Sequence, residues 1–298
     1  MNAATSSAQA PRPTSVLEQA QPVLKGVHHT AKPTWKLRET VEFYRDKLGL
    51  PLVHAISARG WGPSNHPDFL HFFFKSGKGS TIAFFYYIGA EQPDYTRPLE
   101  DYRSRASHTA WAVDSQEELL AWRHRLEQHG IPLRYQLRHE LIESIYFADP
   151  NGYPIEITYE VRPMNALDAN DATETMEAAM KQEDEIKLGS ERFESIDQVW
   201  RRKAGRRGHE EDKGEAVLYI LDVPEFEPLV KACSAVQRYR MTLVDGYWRV
   251  GSPDKLTFER KALGFVPALW NAALTGGYSG TIAEFNRDRL EISAGSRP

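Results

Sequence analysis

The pattern of apolar and polar positions predicts a strand–helix–strand–strand–strand unit from residue 23 onward. Residues 23–29 form a short apolar run that is typical of a strand. Apolar positions between residues 37 and 48 recur at helical spacing, and Gly49 is suited to end that helix. Three more strands are predicted, the last two separated by a glycine-containing turn; they lie at residues 50–56, 69–74 and 81–88.

The same order of elements is predicted a second time from residue 108. Residues 108–113 predict a strand, and residues 115–129 predict a helix that is followed by Gly130. The second unit then has three strands of its own, the last two separated by an Asp-Pro-Asn-Gly turn; they are predicted at residues 133–137, 144–147 and 154–159.

Matching short sequences mark the two units as an internal repeat. His29-Thr30-Ala31 corresponds to His108-Thr109-Ala110, and the Gly-Leu-Pro-Leu at residue 49 corresponds to the Gly-Ile-Pro-Leu at residue 130. A small curved sheet leaves one face uncovered, so we expect the two copies to pair and to close a pocket between their concave faces. The predicted fold class is α+β, with paired βαβββ modules forming one domain at residues 23–163.

The segments that flank this domain have a different composition. Residues 1–22 are rich in Ala, Ser, Pro and Gln and predict a disordered arm. Residues 164–214 predict an acidic helical connector, with the helix at 166–188, and then a charged stretch at 201–214. We interpret that stretch as a solvated linker rather than a basic patch, because acidic residues follow the basic ones directly.

The remaining residues, 215–298, predict a smaller α+β domain whose role the sequence leaves open between dimerisation and regulation. Its predicted strands are residues 216–221, 241–250 and 256–260 with a terminal hairpin of 281–285 and 290–293, and its helices are residues 224–239 and 265–274.

Composition and charge exclude several classes of protein. The 298 residues carry a net charge of −4, which argues against nucleic acid as a partner. A single cysteine, Cys233, excludes intramolecular disulfides and cysteine-built metal clusters, so a metal site has to use histidine and carboxylate. No apolar run approaches the ~20 residues of a membrane span. The amino terminus lacks the features of a secretory signal, and we expect a cytoplasmic protein without a membrane partner.

Three residues are candidates for a metal site: His29 and His108, which occupy equivalent places in the two repeats, and Glu156 on the last predicted strand of the second repeat. Most histidines in strands are core or surface residues, and the repeat is what distinguishes these two. Two imidazoles and one carboxylate leave coordination positions open, which is typical of Fe(II) that binds substrate and O₂ together, while Mn(II), Zn and Ni are also compatible. Strand alternation turns the neighbouring His28 to the other face.

Residues 23–163 resemble the vicinal oxygen chelate superfamily, which includes glyoxalase I, fosfomycin-resistance enzymes, bleomycin-resistance proteins and extradiol ring-cleaving dioxygenases. The resemblance depends on three stretches: His29 with Phe43-Tyr44 and Leu48-Gly49-Leu50, then residues 108–113, and then residues 144–156. It covers about half of the chain.

The resemblance implies a metal held by His29, His108 and Glu156. Glyoxalase-like members place a fourth ligand on the last strand of the first repeat, where aligning Ile82 with Ile155 sets Ala83 against Glu156. A three-ligand site therefore fits better, as in extradiol dioxygenases. That family also implies acid–base roles for Tyr146 and His139. A second histidine of the family has no counterpart before His108, and the sequence leaves open whether His66 or His71 takes its place.

The expected function is an Fe(II)-dependent extradiol dioxygenase that cleaves a catechol-like ring with O₂. Its partners are then a small aromatic diol and O₂, and we expect a homo-oligomer. Two alternatives stay open. One is a metal-dependent isomerase or lyase of the glyoxalase type that acts through an enolate, and the other is a metal-free binding protein of the bleomycin-resistance type.

Overall fold

The computed structural model describes residues 24–60, 66–98, 101–187, 193–208, 212 and 214–295. The predicted arm at residues 1–22 and part of the predicted linker lie outside the described residues. The chain divides into two compact units, Met1–Arg97 and Pro98–Pro298, and each is described by itself. No described helix is both long enough and apolar enough to cross a membrane.

The first unit contains one βαβββ module. Strand β1 (His29–Thr34) precedes helix α1 (Leu37–Val41), whose last turns widen into a π-helix at Glu42–Lys47. Strands β2 (Leu52–Ala58), β3 (Phe69–Gly77) and β4 (Ser80–Tyr87) follow. The sheet has the strand order β1-β4-β3-β2, with β1 parallel to β4 and the other pairs antiparallel.

One face of this sheet forms the core of the first unit. The ring of Tyr44 is fully buried and lies 5.5 Å from Phe74 and 4.8 Å from Phe84, measured between ring centroids. Phe72 and Ile82 are buried on the same face. Because side chains alternate along a strand, the residues at odd positions of β3 and β4 lie on the opposite face, together with His29.

The prediction of a strand at residues 23–29 was wrong in position. The strand begins at His29 because its pairing with β4 begins there: His29 is paired with Thr81 and Thr34 with Tyr86. Pro33 is tolerated inside β1 since this strand is the last in the described sheet and needs to pair on one side only.

The second unit begins with another βαβββ module of the same strand order. Strand β5 (Thr109–Ala112) precedes helix α3 (Gln116–Gln128), and strands β6 (Tyr135–Arg138), β7 (Ile142–Ala148) and β8 (Pro154–Glu160) form a sheet in the order β5-β8-β7-β6. The predicted α+β fold of βαβββ modules is thereby confirmed. A short helix that the sequence did not predict, α2 (Tyr102–Ala106), comes immediately before the module.

Strand register also confirms the internal alignment of the two repeats. Ala31 is paired with Ala83 in the first module, and Ala110 is paired with Glu156 in the second. Ala83 is therefore the structural equivalent of Glu156, as the alignment of Ile82 with Ile155 predicted. The first module thus has no carboxylate at the position of the glutamate.

In its described part, the rest of the second unit contains four α-helices and two further sheets. Helices α4 (Ala166–Lys187) and α5 (Asp197–Arg207) come first. The elements that follow are β9 (Ala216–Leu221), a 3₁₀ turn at Pro224–Phe226, α6 (Glu227–Ser234), β10 (Arg240–Val244), β11 (Tyr247–Ser252), β12 (Lys255–Glu259), α7 (Pro267–Asn271), β13 (Tyr278–Ser279), β14 (Thr281–Phe285) and β15 (Arg289–Ser293). One sheet has the order β10-β11-β9-β13 and the other β12-β15-β14.

Several predictions for this region were wrong. The solvated linker predicted from residue 201 is helical as far as Arg207, and Lys203 within it is fully buried because its ammonium binds Asp171 and Thr175 of α4. The strand predicted at residues 241–250 is a hairpin, since Asp245 and Gly246 adopt the positive φ angles that a two-residue turn requires. The helix predicted at residues 224–239 ends at Ser234, and turns lead from it to β10.

Candidate metal-binding site

Two of the three predicted ligands meet in the second unit. Glu156 lies on β8, and His108 directly precedes β5, the parallel neighbour of β8. The distance from His108 Nε2 to Glu156 Oε2 is 2.7 Å. The glutamate side chain is only 4% exposed and the histidine side chain 30% exposed. The register of one strand pair therefore brings together two side chains that are 48 positions apart.

The hydrogen bonds of His108 decide which of its nitrogens is free. Nδ1 lies 2.8 Å from the main-chain oxygen of Arg105, at the end of α2. A carbonyl oxygen only accepts, so Nδ1 carries the proton, and in the neutral ring Nε2 presents its lone pair to the carboxylate. Two lone-pair donors facing each other favour a cation or a proton, and a histidine bonded through its other nitrogen to a carbonyl is common among metal ligands. The donor pair fits a divalent metal.

Tyr146 completes this arrangement. Its hydroxyl donates to Glu156 Oε1 over 3.0 Å, which leaves Oε2 for the histidine or a metal. Burial raises the pKa of Tyr146 to about 12, so the hydroxyl stays protonated at neutral pH and remains a donor. The ring lies 4.5 Å from that of Tyr135 on β6, the cross-strand partner of Tyr146.

The third predicted ligand, His29, belongs to the first unit. It opens β1 two positions before Ala31, as His108 stands two positions before Ala110. Its ring contacts Phe73 at 5.9 Å between centroids, and its Nδ1 lies 2.9 Å from that of His28. Among the described residues, no group of three or more His, Cys, Asp or Glu side chains is arranged to hold a metal ion.

The structure does not bring His139 to Glu156. His139 follows β6, and its main-chain N–H donates to the oxygen of Ile142. Ile142 is paired with Glu160, four residues along β8 from Glu156, which corresponds to about 13 Å along the strand. The acid–base role predicted for His139 stays a prediction, and Tyr146 is the one of the two catalytic candidates that contacts a predicted ligand.

His71 and His66 both lie in the first unit. His71 is buried, stacks on Phe85 at 3.6 Å, and donates from Nδ1 to the oxygen of Phe84. Burial lowers its pKa, and the neighbouring His29 and His54 lower it further. His54 on β2 is a further histidine near His71, and it is paired with Phe73 of β3. That pairing is seen only in the folded sheet.

A cleft of about 490 Å³ lies in the first unit, on the same face of the sheet as His29. Its walls are mainly aromatic and proline side chains. The residues that line it are Ala31, Lys32, Pro33, Trp35, His66, Pro67, Phe85, Tyr87, Ala90, Glu91, Pro93, Tyr95 and Thr96. Its aromatic side chains besides His66 are Trp35, Phe85, Tyr87 and Tyr95.

The part of the chain that contains the two modules matches a known protein family. Residues 26–157 match the family model of the Glyoxalase/Bleomycin resistance protein/Dioxygenase superfamily. The comparison with curated proteins found no match.

Among solved structures, the chain is similar to a lactoylglutathione lyase from Agrobacterium tumefaciens, at 22% identity over 46% of this chain and 95% of that one, with a TM-score of 0.33. It is also similar to the fosfomycin resistance protein FosX from Listeria monocytogenes, at 18% identity over 46% and 94%, with a TM-score of 0.32. A putative dioxygenase from Bacillus subtilis has 26% identity over 45% of this chain and 40% of its own, with a TM-score of 0.35. The match with this family model begins at residue 26, just before β1, and extends to Ile157 on β8, so it includes nearly all of both βαβββ modules.

Proposed function

We propose that this protein is a metal-dependent, extradiol-type dioxygenase that cleaves a catechol-like aromatic ring with O₂. The observation that carries the proposal is the pair of His108 Nε2 and Glu156 Oε2, which face each other at 2.7 Å while the opposite nitrogen of the ring donates to a main-chain oxygen. His29 is proposed as the third ligand because it occupies in the first repeat the position of His108 in the second.

The donor set favours iron as the metal. Two imidazoles and one carboxylate with open positions are typical of non-haem Fe(II) oxygenases, although Mn(II), Zn and Ni accept the same ligands. Bound Fe(II) would supply a single coordination shell in which the diol oxygens and O₂ meet. The alanine at position 83 argues against the four-ligand arrangement of glyoxalase-like isomerases and lyases.

The chain's own side chains have distinct tasks in this proposal. Tyr146 holds Glu156 through its hydroxyl and keeps its proton at neutral pH, so it orients the carboxylate by donating to Oε1. The aromatic walls of the cleft in the first unit, among them Phe85 and Tyr87, favour a planar ring over a small aliphatic substrate.

The proposal is tested on protein purified without oxygen. Its metal content is measured by elemental analysis, and oxygen uptake is then followed with a panel of catechols. We expect iron and catechol-dependent uptake in the wild type, and loss of both in His108→Ala. His124→Ala is the matched control, because His124 is an exposed histidine on α3 that bonds only to Gln128 among the described contacts.

Three results would contradict the proposal. Full metal content and turnover in His108→Ala would exclude the ligand set. Iron without catechol-dependent oxygen uptake would favour the lyase alternative. Tight binding of an aromatic compound by wild-type protein that takes up no metal would favour a binding protein.

A further inference from the structure

The basic run at residues 201–207 lies on helix α5, where its side chains point in two directions. Lys203 and Arg207 are buried within the second unit. Arg201, Gly205 and Arg206 are exposed, and residues four apart in a helix lie on the same face. Folding therefore separates the run into a buried side and an exposed, basic side.

A groove of about 520 Å³ lies between the exposed side of α5 and helix α4, within the second unit. Its charged lining residues are all basic: Lys181 of α4 and Arg201, Arg202 and Arg206 of α5. In the described part of the chain, the rest of its lining consists of two glutamines and Gly205, with no carboxylate. A groove lined by one sign of charge attracts ligands of the opposite sign, here anions.

Two of these four cations have ion-pair partners at the rim of the groove. Arg206 donates from Nη1 to Glu177 over 2.7 Å, and Arg202 donates to Glu185. The two glutamate side chains are about half exposed, and ion pairs of that kind contribute little free energy. Among the described residues Arg206 uses Nη1 only, so its Nε and Nη2 donors remain for a ligand.

Lys181 and Arg201 form no ion pair with any carboxylate of the described residues. Arg201 is nevertheless held in place, since its Nη1 donates to the main-chain oxygen of Gly280 and its guanidinium lies 4.8 Å from the centre of the Tyr278 ring. An arginine that is already held loses little side-chain entropy when it binds a ligand. The groove thus presents two positive charges without a partner, one of them preorganised.

Gly205 is a second, independent feature of the groove. Glycine within a helix is less favourable than alanine, because it loses more conformational freedom on folding. A Cβ atom at this position would meet no atom of the protein within 4 Å, so packing inside the described structure does not require a glycine here. A ligand that lies against the helix backbone at this point supplies the missing reason.

We propose that this groove binds a small, soluble phosphate compound. A phosphate monoester carries a charge of about −2 at neutral pH, which matches the two cations without partners, whereas a monocarboxylate matches one. Guanidinium groups donate pairs of parallel hydrogen bonds to phosphate oxygens, and an ammonium binds phosphate as a point charge. Since no large apolar side chain is among the described lining residues, we expect a soluble compound rather than a lipid headgroup.

This phosphate groove is separate from the candidate metal site. All of its described lining residues follow residue 180, beyond both βαβββ modules. The proposal does not depend on the proposed dioxygenase activity.

The proposal is tested by calorimetric titration of the full chain with glycerol 3-phosphate and inorganic phosphate at low ionic strength, where charge attraction is least screened. We expect saturable binding with one site per chain, and binding of acetate that is at least about tenfold weaker. Lys181→Gln removes one of the two charges without a partner, and we expect it to weaken phosphate binding by about tenfold.

Two controls accompany this titration. Lys231→Gln removes the same charge from α6, where the Lys231 side chain is 70% exposed, and should leave the affinity for phosphate unchanged. His108→Ala should also bind phosphate as the wild type does, which separates the groove from a metal at the candidate site.

Substitution of Gly205 tests the groove without changing any charge. Gly205→Ala should raise the melting temperature, because alanine is the better helix former, and at the same time weaken phosphate binding severalfold. Gly205→Leu should abolish binding while far-ultraviolet circular dichroism stays unchanged. A glycine needed only for packing would instead lose stability on substitution.

Four results would overturn the proposal. They are no phosphate binding by the wild type, equal affinity in Lys181→Gln and Lys231→Gln, unchanged affinity in Gly205→Leu, and binding to phosphatidic acid vesicles without binding of the soluble phosphates.

Discussion

At the scale of single residues, the candidate metal site depends on which atoms already have partners. His108 uses Nδ1 on a main-chain oxygen, and Glu156 uses Oε1 on Tyr146. The atoms left over, Nε2 and Oε2, point at each other. Each proposed ligand is thus held by a second contact, and such outer contacts raise metal affinity by keeping the ligand atoms in place.

Tyr146→Phe tests this directly. The variant removes only the hydroxyl that donates to Glu156, so we expect metal affinity to fall by about tenfold with little change in fold. Competition with a chromogenic chelator measures the affinity. Tyr159→Phe is the control, because that hydroxyl donates to a different carboxylate, Glu143. Equal affinity in both variants would remove Tyr146 from the site.

At the scale of elements, helix α2 was not predicted from the sequence, yet it orients His108, which the sequence did predict as a ligand. Helix α2 is five residues long, too short for a recognisable apolar period, and its end supplies the Arg105 oxygen that binds His108. The Asp101 side chain caps its start by accepting from the N–H of Ser104. The conformation of α2 therefore contributes to the orientation of a predicted ligand.

Removing the N-cap side chains of α2 and α3, one at a time, should separate effects on stability from effects on metal binding. Asp101→Ala and Ser115→Ala each delete an N-cap hydrogen bond, and each should cost about 1 kcal/mol of stability. Only Asp101→Ala should also weaken metal binding, since α3, which Ser115 caps, does not contact His108 through any described hydrogen bond. Urea denaturation and chelator competition on both variants measure the two effects. A parallel loss of affinity in Ser115→Ala would argue against this role of α2.

Asp168, at the start of α4, should make the free energy of unfolding depend on pH in the acidic range. Hydrogen bonds from Arg162 hold the pKa of Asp168 below its usual range. A carboxyl whose pKa is lower in the folded state binds fewer protons there than in the unfolded state. Its contribution is therefore complete above the unfolded pKa of about 3.9 and is lost as the pH falls through the folded value.

Asp168→Asn should consequently be less stable than the wild type at pH 7 and should lose less stability between pH 5 and strong acid, as denaturation at a series of pH values measures. Asp94→Asn is the control, because the Asp94 side chain is 98% exposed. If Asp168→Asn follows the acid response of the wild type, the ion pair contributes nothing to it.

At the scale of the whole molecule, the proposed ligand set takes residues from both units of the chain. Metal that binds only the folded protein raises its stability by about 2.7 kcal/mol at a hundredfold excess over Kd. We expect Fe(II), added without oxygen, to raise the melting temperature of wild-type protein and His124→Ala but not of His29→Ala or His108→Ala. Full stabilisation of His29→Ala would remove the first unit from the ligand set. The expected homo-oligomer stays a prediction, which analytical ultracentrifugation tests.

The sequence by itself determined the repeated order of elements, because side-chain alternation and helical period are local properties. It also determined the equivalence of His29 with His108 and of Ala83 with Glu156, since copies of one module keep their register. Local patterns do not contain the partner of a strand or the contacts of a charged side chain. For that reason the start of β1, the buried Lys203 of α5 and the hydrogen bonds of His108 were decided only by tertiary structure.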